Sequence, residues 1–434
     1  MNYKFRRLRN NKGVALIFAF LVLAVLIAYS AAFISVGVSQ NMTSDIFKRR
    51  AKAFNISEAG LDHAIVWLRA QGSPPVGNRT NPWGSVQSIG GGTYSVLIAD
   101  LGAIGGTGNI RRYKITSTGS FGNMSRSLAA YVQVDNYARY IWFTDSETFG
   151  GTNVWFWSLD HLDGPTHTNG HFNIYGNPVF EGEVRSVDDY IRFYNNGNNI
   201  NLSQPTNAPY DNPSFSEGIN FGTEQITMPS QALSLRAAAS SGGFFLTGDT
   251  TAVLNSNGTM NVTNSNKKWS NKNMALPANG ALFINKGNLT ISGTLDGRLT
   301  VGSSRDILIP GNIVYADDPR VNPSSDDVLG VIAESDVMIK SNAPVNLEID
   351  GCIMAMNTSF ILENYWQGPA KGTLTVYGGI IQDERGPVGT FNGSTGQKVS
   401  GYSKDYSYDL RLLGSPPPYM PTTGDYITLS WEEN

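Results

Sequence analysis

Val14-Ala-Leu-Ile-Phe-Ala-Phe-Leu-Val-Leu-Ala-Val-Leu-Ile-Ala-Tyr-Ser-Ala-Ala-Phe-Ile-Ser-Val-Gly-Val38 runs for 25 residues without a charge. As an α-helix it is about 37 Å long, enough to cross a hydrocarbon core of roughly 30 Å with some tilt. Lys4, Arg6, Arg7, Arg9 and Lys12 precede it with no acid among them. Such a basic flank holds the N-terminus in the cytoplasm and sends the following chain outside. The expectation is an inner-membrane, single-pass protein anchored through residues 14–38. A secretory signal peptide shares the basic start, and Ser30-Ala31-Ala32 offers a small-residue cleavage site.

The continuation decides between them. Beyond Asp45 neither Pro nor Gly interrupts the chain until Gly60. Phe47, Ala51, Phe54, Glu58, Leu61, Ile65 and Leu68 recur at spacings of four and three, one seam along a helix face. The spacing predicts one rod over residues 14–72, ending near Gln71-Gly-Ser-Pro-Pro75. Cleavage at residue 32 would leave half of that helix without a purpose.

Composition sets the outer bounds. With 434 residues, two or three folded units are expected. Charged residues are only 15%, against about 25% in an ordinary globular chain, and Gly, Asn, Ser and Thr replace them. That trade favours turns and short strands. Removing the five leader cations leaves 27 basic against 35 acidic residues, so the rest of the chain stands at −8. A mildly acidic body has no electrostatic reason to seek nucleic acid. Cys352 is the single cysteine, so no internal disulfide forms.

Residues 93–99, 112–118 and 127–134 read as strands separated by Gly-rich turns, a small antiparallel sheet within 73–136. From about 137 to 399 the apolar residues come in three-residue bursts, among them Leu282-Phe-Ile, Leu289-Thr-Ile, Leu299-Thr-Val, Ile307-Leu-Ile, Ile313-Val-Tyr and Val337-Met-Ile. An antiparallel sandwich or a parallel β-helix gives this rhythm. Few Asn-Gly hairpin pairs and many single Gly or Asn corners favour the β-helix. The Tyr/Pro-rich tail, 400–434, is expected to pack on the body. The fold class is therefore α+β: a long helix with a small sheet, then a large all-β domain.

Lys12-Gly13 followed by Val14-Ala-Leu-Ile-Phe18 resembles the processing site of type IV prepilins. The stretch from Arg50 to Ala64, with Glu58-Ala-Gly60 at its centre, resembles a conserved element of the PilX-like minor pilins. The resemblance covers about 70 residues. It implies removal of the basic leader (1–13) by a prepilin peptidase between Gly13 and Val14, and packing of the helix with other pilins. Major pilins carry Glu at the fifth mature position, where this chain has Phe18. A subunit without that carboxylate cannot neutralise a neighbour's buried amine, so an initiating or capping place in a filament follows rather than bulk structure. Gly164–Gly170, Gly176–Gly182, Gly401–Arg411 and Pro416–Pro421 resemble a family of pilus-associated exported proteins whose large domain has no assigned activity. The expected localisation is the inner membrane, then a pilus or the cell surface.

Chemistry leaves few candidates. His161, His167 and His171, with Asp160 and Asp163 beside them, have the ligand types of a zinc site. Their spacing fits no standard signature, and hydrogen bonding at polar corners is the expected use. Asp317-Asp318 and Asp326-Asp327 lack an EF-hand pattern and read as a solvated loop. Trp142, Trp155 and Trp157 offer either core packing or a platform for sugar rings. No phosphate loop, nucleophile elbow or Cys/His zinc pattern is present. No cofactor and no catalysis are expected. The competing readings are a tethered β-helix polysaccharide lyase or hydrolase built on carboxylates such as Asp306, Glu334 and Asp336, and a plain uncleaved envelope anchor. The favoured partners are the membrane, other pilins, a prepilin peptidase and a surface or glycan ligand.

Overall fold

A computed structural model describes residues 12–104, 109–393, 395 and 397–433. Lys4, Arg6, Arg7 and Arg9 of the leader lie outside the described residues. One α-helix spans Lys12–Arg69 without interruption. It closes as expected: Ala70 and Gln71 donate back to the Val66 and Leu68 carbonyls, and Pro74-Pro75 cannot continue it. Its apolar half touches nothing, with Phe18 70% and Phe33 77% exposed. The helix is long and apolar enough to cross a membrane, and none of that stretch is buried in the molecule. A buried core helix is thereby excluded.

Burial begins at Ala53 and continues through Ile56, Ser57, Leu61, Ala64 and Leu68. These residues pack on an antiparallel meander of strands Gly92–Ala103, Arg111–Phe121 and Met124–Asn136, with Ile98 opposite Ile115 and Ile115 opposite Ala130. The expected seam therefore needs correction. Phe54, Leu61, Ile65 and Leu68 lie on or beside the buried face, whereas Phe47, Ala51 and Glu58 are exposed. Small residues make the closest approach. A Cβ on Gly60 would collide with Ser117 and Tyr94, and one on Gly119 with the helix backbone at Ala53 and Ser57.

Beyond Trp142 most strands pair in parallel and join one large sheet. An antiparallel sandwich would alternate direction. Here that is confined to short hairpins, the largest formed by Thr250–Asn255, Thr259–Asn264 and Trp269–Ala275. Each three-residue burst is a strand, and Ile307-Leu-Ile, Ile313-Val-Tyr and Val337-Met-Ile bury their outer two residues while the middle one stays half out.

The pairings build continuous files of side chains. One file runs Phe244, Leu282, Val301, Val331, Ile353, Ile380, Trp142, Thr166, Val184, Ile219. A second runs Leu254, Gly293, Ile313, Ile349, Val376, Tyr406, Leu162, Phe180, Phe215. Each buried aliphatic residue in such a file contributes roughly 1.5–3 kcal/mol. That outweighs the surface ion pairs, worth about 0–1 kcal/mol each. The files also expose an unusual chain path. The chain enters in mid-stack at Trp142 and builds outward to Ile219. Residues 220–243, with helix Leu233–Ser240, return it to the far end, from which it builds back until Ile380 meets Trp142.

Residues 400–434, expected as one packed tail, divide three ways. Strand Lys398–Ser407 completes the second file, where Tyr406 lies between Val376 and Leu162. Pro416–Met420 is largely buried against the body, where Arg298 donates to the Pro416 carbonyl and Thr300 to that of Pro418. The last strand, Thr422–Glu433, returns to the N-terminal sheet and pairs with Met124–Asn136, Tyr426 opposite Val134.

Candidate functional site

The third side of the body is where the stack breaks. Thr250, Leu289, Ile307, Val337 and Phe360 form a file from one end, and Phe156, Ile174 and Phe193 form one from the other. Among the described residues no strand pairing joins Phe360–Leu362 to Phe156–Trp157. Two files cross the junction between the two halves, and the third does not. A cleft of about 440 Å³ opens at that gap.

Aromatic side chains from both halves line it. Trp155, Trp157, Tyr175 and Tyr194 come from the 142–219 half, Tyr365 and Phe391 from the other. Short strands Phe156–Trp157, Asn173–Tyr175 and Ile191–Phe193 place Trp157 next to Tyr175, ring centroids 4.2 Å apart, with Tyr194 4.2 Å further on. Trp157 also stacks nearly parallel on Phe391 at 5.8 Å. The Tyr175 hydroxyl donates to the Gly393 carbonyl, tying the two halves across the cleft. All six rings are half-buried.

The floor is a neutralised charge cluster. Arg385, 1% exposed, donates to Glu147 Oε2 at 2.8 Å and to the Trp155 carbonyl at 3.1 Å, and its guanidinium lies over the Phe156 ring at 3.6 Å. Glu147 also accepts from Trp142 Nε1 and Thr144 Oγ1. Lys404 pairs with Asp160 at 2.7 Å, and burial lowers its pKa. Removing one member of such a buried pair costs about 3–5 kcal/mol, so the cluster is a fixed base to the cleft.

The histidines do not converge. His161 lies exposed beside Glu181 at 3.0 Å, and His171 pairs with Asp188 at 2.8 Å. His167 is fully buried, stacked on Phe143, with Nε2 2.9 Å from Asn169 Oδ1. Asn169 directs its amide hydrogens to Asp145 and the Ile226 carbonyl, so its oxygen accepts and the His167 proton sits on Nε2. Burial, the largest influence, pushes His167 down to about 4, against the opposing Asn169 hydrogen bond. Asp163 accepts from the Tyr408 amide. No three of His, Cys, Asp and Glu approach a metal-binding arrangement among the described residues. In the acidic loop, Asp327 accepts from the Gly297 and Asp317 amides and Asp318 pairs with Arg320.

Asp306 and Asp336 serve the backbone. Asn288 donates to Asp249, Asp306 to Asn288, Asp336 to Asp306 and Ser359 to Asp336, each through its amide to the side-chain oxygen one strand away. Glu334 accepts from Arg236 and the Ala232 amide, fixing helix Leu233–Ser240. Gly13 and Val14 stand exposed at the start of the helix. Of the cleft, the sequence pointed to Trp142, Trp155 and Trp157; the Phe391 ring that stacks on Trp157 lies 234 residues away along the chain.

A domain family of unknown function (DUF4900) matches residues 106–188, a range that takes in the second and third meander strands and the first part of the body. No curated protein matches the chain. Among solved structures the chain is similar to the competence-associated pilin ComZ from Thermus thermophilus, at 11% identity and a TM-score of 0.35, over 89% of this chain and 97% of that one.

Proposed function

We propose that the chain is a pilin-class subunit that initiates or caps a type IV pilus or a related secretion filament and carries its β-rich body outside the cell. One observation supports this above the others: a single helix, Lys12–Arg69, is bare and apolar in its first half and clasped by a sheet from Ala53 onward. A helix built this way has a free surface that only lipid or other apolar helices satisfy. The Lys12-Gly13 junction and the Glu58-Ala-Gly60 element carry the resemblance to PilX-like minor pilins. Phe18, without a carboxylate, argues for an end position in the filament. The leader stays cytoplasmic, and the helix docks among other pilins. The body is a parallel β-helix, displayed for surface contact. The role proposed for it is binding rather than catalysis, and three of the carboxylates that the enzyme reading drew on, Asp306, Glu334 and Asp336, hold backbone amides and an arginine.

The test is the mature N-terminus, read by mass spectrometry after co-expression with a prepilin peptidase. A chain starting at Val14 with a methylated amine is the expected result, and Gly13→Arg is expected to block it. Normal processing of Gly13→Arg, or a chain starting near Ala32, would sink the proposal.

A further inference from the structure

We infer that the aromatic cleft between the two halves of the body binds a neutral saccharide chain. The inference deepens the display role proposed above, naming what the displayed body takes hold of.

Three observations converge on that chemistry. The walls are half-buried aromatic rings, which suit the apolar C–H faces of pyranose rings. The same rings keep polar handles unused: the indole N–H groups of Trp155 and Trp157 and the hydroxyls of Tyr194 and Tyr365 make no hydrogen bond among the described residues. An alkyl chain or apolar peptide surface would leave those donors unpaired as it displaced water, at a cost of about 1–3 kcal/mol for each one fully buried. A sugar brings a rim of hydroxyls to meet them. Third, Arg385 and Lys404 are the charged side chains lining the cleft, and Glu147 and Asp160 already neutralise them. An acidic polymer would find no free cation there, and a basic one no free carboxylate. At about 440 Å³ the cleft falls in the ordinary range of ligand sites, roughly 300–1,000 Å³.

The experiment uses the full chain in a zwitterionic detergent that has no sugar headgroup. Cellohexaose, maltohexaose and chitohexaose are titrated in turn, with tryptophan emission and calorimetry as readouts. At least one is expected to bind saturably with a change in emission. Trp157→Ala should weaken it by about tenfold, the equivalent of one stacking contact, and Trp157→Phe should weaken it less. Tyr194→Phe removes a hydroxyl alone. It should weaken binding severalfold with an unchanged melting temperature, and so serves if Trp157→Ala fails to fold. Absence of binding by all three at millimolar concentration overturns the inference. So does binding that survives both Trp157→Ala and Tyr194→Phe unchanged, or displacement by polygalacturonate. Processing at Gly13 is read separately, so the filament proposal and this one fail independently.

Discussion

His167 shows how one residue's surroundings decide its chemistry. Its ring lies flat on Phe143, its Nε2–H is committed to Asn169, and Nδ1 has no partner. Burial comes first in holding it neutral, with Arg139 and Arg185 adding to the depression and Asn169 and Asp145 opposing it. An unfolded chain takes up this proton near 6.5, the folded one only near 4. Between those values the unfolded state holds more protons, so stability falls as pH drops from about 6.5 to about 4, by on the order of 3 kcal/mol. Asp350 works in the opposite direction. Burial raises it from 3.8 to about 6, so the folded state keeps a proton that the unfolded state has lost. Its contribution is present below about 4 and is lost as pH rises through 6. Melting curves from pH 4 to 7, compared between the native chain and single variants, separate the two contributions. His167→Gln should tilt them towards acid stability, and Asp350→Asn towards acid lability. A His167→Gln profile parallel to the native one would show that His167 takes up its proton in the fold as readily as in the unfolded chain.

At the scale of elements, the helix and its sheet meet through what is missing. Gly60 lets the Ser117 and Tyr94 side chains close on the helix, and Gly119 lets the sheet approach the helix backbone. Gly119→Val would push a branched side chain into the Ala53 carbonyl and the Ser57 amide. It should destabilise the chain by about 2–3 kcal/mol in a denaturant titration. Gly72→Ala, with nothing near its Cβ, should change little by comparison. Equal effects would mean that the contact is looser than drawn. The same contact explains what the sequence conveyed and what it hid. The end of the rod, the three meander strands and most of the three-residue bursts were legible, because Pro-Pro, Gly-rich turns and alternating burial are local signals. The orientation of the helix was not: a seam spaced by four and three takes in Phe47, Ala51 and Glu58, while the closest contact is made by the small residues Ala53, Ser57, Gly60 and Ala64. The cleft was hidden for a different reason. Trp142 stacks on Ile380, a partner 238 residues away, and no local pattern records that the chain enters its own stack in the middle. Trp155 and Trp157 were visible as aromatics, but their place on a broken face depends on that long-range order.

On the scale of the whole molecule, two regions have opposite needs. From Ala53 onward the chain satisfies itself. The meander gains the C-terminal strand, the body is bound to it through Pro416–Pro421, and Tyr137 donates to the Pro421 carbonyl at the joint. Arg411 secures the same joint by donating to the Ser325 and Asp327 carbonyls. The apolar side chains of the first half of the helix lie bare: Val14, Ile17, Phe18, Leu21, Leu26 and Phe33 all stand more than half exposed. Among the described residues, removing 1–45 therefore takes away no buried side chain. The shortened chain is expected to be a soluble monomer by size-exclusion chromatography, melting within about 2 °C of the detergent-solubilised full chain, a shift that corresponds to about 1.6 kcal/mol in a chain of this length. Full-length protein should float with liposomes, and the shortened chain should remain in the aqueous fraction. A large fall in melting temperature on truncation would mean that the apolar half folds back on the body. The helix would then no longer be a free docking rod, and the filament proposal would lose its physical basis.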